Sequence, residues 1–195
     1  MAKQAERRAA TRAAILAAAR QLFGLHGFAA VTVDRVAAAA GIAKGAVYHH
    51  FPTKHDLFAA VFEQVSTDLA ADVATASRGQ PDILAAMVAG TRSYFAACSD
   101  GERAQIILRD GPAVLGWERW REIDEAHFGG GIPRSLAGAM ERGLIARQPV
   151  EPLARLLLGA VTEAAMACAG RQDLKAAADS YAEAMASLME ALRQA

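Results

Sequence analysis

The sequence predicts an all-α chain, and three observations carry that reading. Ala, Leu, Arg and Glu are abundant among the 195 residues, only six prolines interrupt them, and apolar residues recur at three- and four-residue intervals over long stretches. The first two favour helix over strand, and the periodicity places the apolar residues on one helical face. At 20.5 kDa the chain accommodates one domain, or a small domain fused to a larger one.

Taken in order, the first helix is expected at about 8–26, where Ile15, Leu16, Ala19, Leu22 and Phe23 share a face, and His26-Gly27 ends it. Thr32 then caps a short helix with Val33, Val36, Ala37 and Ala40 on its apolar side, and Asp34 in its first turn complements the helix dipole. Gly41 stops that helix, a third runs from about 43 to 51 and closes at Pro52, and Thr53 with Asp56 opens a long fourth by a capping-box-like pairing. Ser77 to Pro81 punctuates the chain, and helical patterns resume at about 82–98, 102–109 and 113–127. Gly129-Gly130-Gly131 followed by Pro133 is the strongest expected break. A short helix near 134–142 and two long ones, at about 151–169 and 173–193, complete the chain.

Net charge is zero but unevenly spread: residues 1–56 hold eight Lys and Arg against three acids, or +5, and the remainder carries −5. A basic head on an acidic body suits a polyanion partner for the head, although a solvated basic surface gives the same count. Cys98 and Cys168 lie seventy positions apart without a CxxC neighbour, which indicates neither a disulfide framework nor zinc. No uninterrupted apolar stretch of membrane-spanning length and no signal-peptide core is evident, so a cytoplasmic location with no membrane partner is expected.

The segment 32–51 meets the needs of a helix-turn-helix. Ala37 is small where two helices cross, Gly41 tolerates positive φ in the turn, and Val36, Ala40, Ile42 and Val47 lock the helices together. In its second helix Val47 and Phe51 lie one turn apart and point inward, leaving Lys44, Tyr48, His49 and His50 for the outer faces. Lys44 and Gly45 near the helix start can approach a phosphate or a base edge, and the free N–H groups there favour the same anion. Adjacent histidines diverge on a helix, so His49 and His50 suggest no metal site.

The run from Gly41 to Leu57, preceded by Thr32-Val33-Asp34-Arg35-Val36-Ala37 and by the helix from Ile15 to Phe28, resembles the DNA-binding segment of the tetracycline-repressor (TetR/AcrR) family of bacterial regulators. The resemblance implies three N-terminal helices for DNA, a long connecting helix, and a divergent helical body that binds a ligand and dimerises. It gives a DNA-binding domain at 1–56 and a ligand-binding and dimerisation domain at 57–195. The candidate DNA-binding residues are Thr32, Lys44, Gly45, Ala46, Tyr48, His49, His50 and Lys54. Family members often carry Ser where this chain has Ala43, so a hydroxyl cap is missing at the start of the second helix.

In the body, Tyr181, Met185, Leu188 and Leu192 on the last helix and Leu153, Leu157, Val161 and Ala164 on the one before form apolar seams. They pack either on their own subunit or, as the resemblance implies, on a second copy. Met87, Tyr94, Phe95, Trp117, Trp120, Phe128 and Met166, with Arg109, His127 and Glu163 as polar fixtures, are candidates for a small-molecule pocket or for plain core. The resulting expectation is a homodimeric DNA-binding regulator, a repressor released from a palindromic operator by a small hydrophobic effector. The alternative is a helical adaptor or ligand-binding protein without DNA binding. No GxSxG, P-loop, GxGxxG, HExxH or paired Cys/His set is present, so no enzyme chemistry and no cofactor is expected.

Overall fold

A computed structural model describes residues 2–169, 171 and 173–193. Among these residues there is no strand, only one antiparallel bridge between Ile145 and Arg193. The helices are α1 (Ala2–Ala30), α2 (Val33–Ala40), α3 (Lys44–His50), α4 (Lys54–Ala76), α5 (Ile83–Cys98), α6 (Gly101–Ala104), α7 (Gly111–Leu115), α8 (Trp117–Asp124), α9 (Gly131–Glu141), α10 (Val150–Ala169) and α11 (Leu174–Glu190). Two wider π-helical stretches, Gln105–Asp110 and Glu125–Gly129, join α6 to α7 and lead from α8 towards α9. The all-α expectation holds.

The chain forms two compact units, one ending at Val65 and joined by Gly101–Glu118, the other made of Ser66–Asp100 and the described residues from Arg119 onward. The sequence division at 56 falls near the start of α4, whereas the compact units divide inside that helix. The segment 101–118 is tied into the first unit by pairings some eighty positions apart, one between side chains and one from a backbone N–H, which periodicity does not register.

Within the first unit, Ile15, Leu16, Ala19 and Phe23 of α1 are buried together with Val33, Val36 and Ala37 of α2 and Leu57, Phe58, Val61 and Phe62 of α4. The rings of Phe23 and Phe28 each meet Phe58 edge-on at 5.3 Å. By length and composition α1 qualifies as a membrane span, contrary to the sequence expectation, but its apolar face packs on α2 and on 101–110 as a core helix does. The α-helical course of α1 breaks at Gly27, whose φ of 75° and ψ of 161° lie outside the helical region. That break leaves the Phe28 N–H without a helical acceptor, and it donates instead to Asp110 Oδ2 at 2.7 Å. Arg20 Nε donates to Glu102 Oε1 at 2.8 Å, and Glu102 lies over Gly24, where a Cβ would have no room.

Both caps expected at the head are present. Thr32 Oγ1 accepts from Arg35 N at 3.3 Å, while Thr53 N donates to Asp56 Oδ2 and Asp56 N to Thr53 Oγ1, each at 3.0 Å.

In the second unit α11 lies along α5, and α9 and α10 complete the layer around Leu84, Phe95, Trp120, Ile123, Leu136 and Met189. The bond from Ala85 N to Asp82 Oδ1 caps α5, and Arg193 Nη1 donates to Asp82 Oδ2 at 2.9 Å, fastening the end of the chain to that cap. Two sequence expectations are corrected here. The triple glycine is not the strongest break: only Gly130 stands outside the helices, between Glu125–Gly129 and α9, and it keeps right-handed angles of φ −76° and ψ −19°, while Pro133 sits in the first turn of α9, where no N–H is needed. The break falls instead at Gly116, whose φ of 76° splits the single helix expected at 113–127.

Removing the Asp110 acceptor leaves a partly buried N–H unpaired. Asp110→Ala should therefore lower unfolding free energy by about 1–2 kcal/mol in urea melts, and Asp110→Asn, which keeps an acceptor oxygen, by less. Equal stability of the wild type and the Ala variant would show that the Phe28 bond contributes nothing.

Candidate functional site

The helix-turn-helix is assembled by a glycine turn. Gly41 takes the left-handed conformation at φ 66°, its N–H reaching Ala38 O at 3.2 Å, and Ile42 N donates to Ala37 O at 2.9 Å, a Schellman closure. Ala43 then starts α3 with no side-chain cap, as its methyl group dictates. Seven residues are too few for an independently stable helix, and what holds α3 is Val47, 1% exposed, with Phe51, 4% exposed, just past its end. Lys44, Gly45, Tyr48 and His49 are exposed, while Ala46 and His50 are half-buried. Tyr48, at 43%, is one of the few large rings left in solvent. A Cβ built on Gly45 would meet nothing within 4 Å, so no packing within the chain requires glycine there. A bare backbone on an open face suits close approach by a partner.

The charges around α3 are partly pre-arranged. Lys44 Nζ donates to Asp34 Oδ2 at 2.9 Å across the two helices, and this hydrogen bond and charge raise the lysine's pKa. Thr32 stands at the start of α2 with its hydroxyl oxygen engaged in the cap. Lys54 departs from the sequence reading. Its Nζ donates to Phe28 O at 2.9 Å and Val31 O at 3.0 Å and lies 4.0 Å from the Phe28 ring centre, tying α4 to the α1–α2 link instead of standing free for a phosphate. Two residues not singled out in the sequence join the face. The Arg12 guanidinium lies 5.2 Å from the centre of the Phe51 ring, and partial burial, then the charges of Arg8, His49 and Arg12, push the His50 imidazole below its usual pKa. Both arginines entered the sequence reading only as part of the basic count, because nothing in spacing shows that α1 runs beside the end of α3.

The second unit contains a cavity of about 270 Å³ with a mostly apolar wall. Of the ten residues expected there, Met87, Tyr94, His127 and Phe128 line it. Phe95 and Trp120 are instead fully buried core, Met166 is half-buried off the wall and Glu163 is exposed. Arg109 and Trp117 lie in the other unit, Arg109 exposed beside Gln105 and Trp117 54% exposed. Helical spacing identifies apolar faces but cannot tell which of them borders a void. The residue missed is Asp124, on the cavity wall and only 8% exposed, which has no hydrogen bond or ion pair among the described residues. Burial raises its pKa to about 6, an effect opposed by Arg121 and reinforced by Glu125. Nearby, the fully enclosed Tyr94 hydroxyl bonds with Cys98, and burial pushes its pKa well above the ordinary value.

Half of the seam residues expected to pair two copies are buried within their own subunit. Leu157, Val161, Ala164 and Met185 are buried, Leu153, Tyr181 and Leu192 half-buried, and Val161 borders the cavity; of the eight, only Leu188, at 50%, is exposed. The reason is that α11 spends its apolar stripe on α5. The outward faces are largely different ones: Leu156, 72% exposed, with Gly159 and Glu163 on α10, and, around Leu188, Ser180, Ala184 and Ser187 on α11. Among the described residues no group of three or more His, Cys, Asp and Glu is placed to hold a metal ion.

Comparison with known proteins meets this geometry at both ends of the chain. The model of the bacterial regulatory proteins, tetR family, matches residues 15–61, and the model of the tetracyclin repressor-like C-terminal domain matches 84–192. The transposon Tn10 TetC protein of Escherichia coli is 24% identical over 159 residues, 80% of this chain and 79% of that protein. An HTH-type transcriptional repressor of Mycobacterium tuberculosis is 33% identical over 120 residues, covering 60% of this chain and 63% of its own. The crystal structure of a TetR-family transcriptional regulator from Pectobacterium atrosepticum superposes with a TM-score of 0.86 at 29% identity, covering 97% of each chain. With one model matching the helix-turn-helix head and the other more than half of the chain's length, the chain belongs to the TetR family of DNA-binding transcriptional regulators.

Proposed function

We propose that the protein is a homodimeric repressor that reads a palindromic operator with α3 and releases it when a small molecule fills the body cavity. In this reading residues 1–56 are the reading head and 57–195 the ligand-binding and dimerising body. The observation that carries it is the division of labour within α3. Val47 is its one buried residue, and the other positions offer a bare glycine, a lysine, an exposed tyrosine and two imidazoles. Such a face has donors for phosphates and base edges and little reason to exist as core. One head reads few bases, and two related by a two-fold axis span half-sites about 34 Å apart or a multiple of that. Exposed Leu156 and Leu188, flanked by small residues, supply the apolar patch through which two copies associate.

For release, the route we favour is the segment 101–118. Asp110 and Glu102 fasten it to α1, while in sequence it is flanked by α5 and α8, both of which contribute to the cavity wall. A ligand changes operator affinity only by its differential affinity for the two states, so about 100-fold release requires roughly 2.7 kcal/mol of preference for the DNA-incompetent form.

Three outcomes are expected. In anisotropy titrations with the operator, Tyr48→Ala and Lys44→Ala each cost about 1–3 kcal/mol with unchanged melting behaviour; undiminished binding by both would remove α3 from the interface. Phosphates should raise the His50 pKa that burial and Arg8 now depress, so binding takes up a proton and affinity should rise as pH falls through the window between the free and bound values. His50→Gln should flatten that pH profile, and an unchanged slope would place the linkage elsewhere. Sedimentation should give a dimer at micromolar concentration that Leu188→Glu dissociates with loss of operator binding; a monomeric wild type contradicts the assembly.

A further inference from the structure

We propose that the body cavity is selective for a small organic cation, a single-ring or short-chain amine or quaternary ammonium whose positive centre pairs with Asp124. This rests on the cavity being the effector site and goes beyond it by naming the chemical class. Asp124 is the last residue of α8, 92% removed from solvent, and lines the cavity without a hydrogen bond or ion pair among the described residues; the charges that act on it are Arg121, which favours the carboxylate, and Glu125, which opposes it. A buried carboxylate without a partner is costly, and a cation that brings its own charge offsets that cost. Among the described residues no lysine or arginine lines the cavity; its titratable wall groups are this acid, His127 and Tyr94, whose phenol burial holds neutral. An anionic guest would place a second negative charge beside the first, and a fully apolar guest would leave Asp124 desolvated and unpaired.

The local backbone supports the aim of these groups. Asp124, His127 and Phe128 stand at i, i+3 and i+4 where α8 runs into the π-helical turn Glu125–Gly129, a spacing that puts all three on one helical face, and that face is the cavity wall. The rings of Phe128 and Tyr94 meet edge to face at 5.5 Å, and aromatic faces attract cations. Size sets the other limit. About 270 Å³ is less than twice the roughly 150 Å³ void that accepts one benzene, so one ring with a short charged arm fits and a polycyclic drug does not.

The test is calorimetric titration of the full-length protein with three probes of equal length, phenethylammonium, 2-phenylethanol and phenylacetate, at pH 7.5 and pH 5. At pH 7.5 the ammonium should bind about tenfold or more tighter than the alcohol, with the carboxylate weakest. The preference should shrink at pH 5, where Asp124, with a pKa of about 6, is mostly protonated. Asp124→Asn should abolish it at both pH values. That variant should also melt higher than the wild type at pH 7.5 but not at pH 5, because only the ionised carboxylate is penalised by burial. An alcohol that binds as well as the ammonium, or a cation preference retained in Asp124→Asn, overturns the inference while leaving the cavity as an effector site. Failure of all three probes to bind also overturns it, and the effector reading falls with it if a wider set of neutral and anionic compounds leaves operator binding unchanged.

Discussion

Seating α3 is the constraint around which the rest of the head is arranged. A seven-residue helix has neither the length nor, with Ala43 at its start, the cap to hold itself together, so its geometry is borrowed from its surroundings. Val47 and Phe51 supply the apolar anchor, and the Gly41 turn fixes the angle at which α3 leaves α2. Lys54 then secures the far side by bonding two carbonyls of the α1–α2 link from the first turn of α4. Because so few α3 side chains are spent on packing, the remainder are free to face a partner.

The same economy explains the chemistry around that face. Lys44 is held to Asp34 in the free protein, an exposed pair of modest strength that a phosphate can displace at little cost. Partial burial first, and then the charges around it, those of Arg8 foremost, disfavour protonation of His50 until an anion arrives. The body shows the complementary pattern, with Asp124 kept from water and given no hydrogen bond or ion pair among the described residues on an otherwise largely apolar wall, Arg121 acting on it only through its charge. In each place an ionisable group is incompletely satisfied by its own chain, and in each the missing partner has the opposite sign.

What could be read in the sequence follows from the range of the interactions involved. The Thr32 cap, the Gly41 turn and the Thr53–Asp56 box are made by residues three to five positions apart, and each appears where spacing placed it. The inward and outward faces of α3 were equally legible, since Val47 and Phe51 are separated by one turn. The sites that depend on distant neighbours were not. Lys54 reads as a free cation until the carbonyls of Phe28 and Val31 are seen beside it, and Arg109 and Trp117 read as pocket residues until 101–118 is found in the first unit. A seam such as Leu157, Ala164 and Met185 has the same periodicity whether it meets its own chain or a second copy. Asp124 was passed over because an acid within Trp117–Asp124, beside exposed Glu118 and Glu122, looks like part of a solvated face.

The central claim is that two copies of α3 read DNA as a symmetric pair, and hydroxyl-radical footprinting on the DNA upstream of the coding sequence measures it most directly. Two protected half-sites, related by a two-fold axis and centred about 34 Å or a multiple of it apart, are the expected result. Protection of a single unpaired half-site, or none at protein concentrations that saturate the dimer, would contradict it.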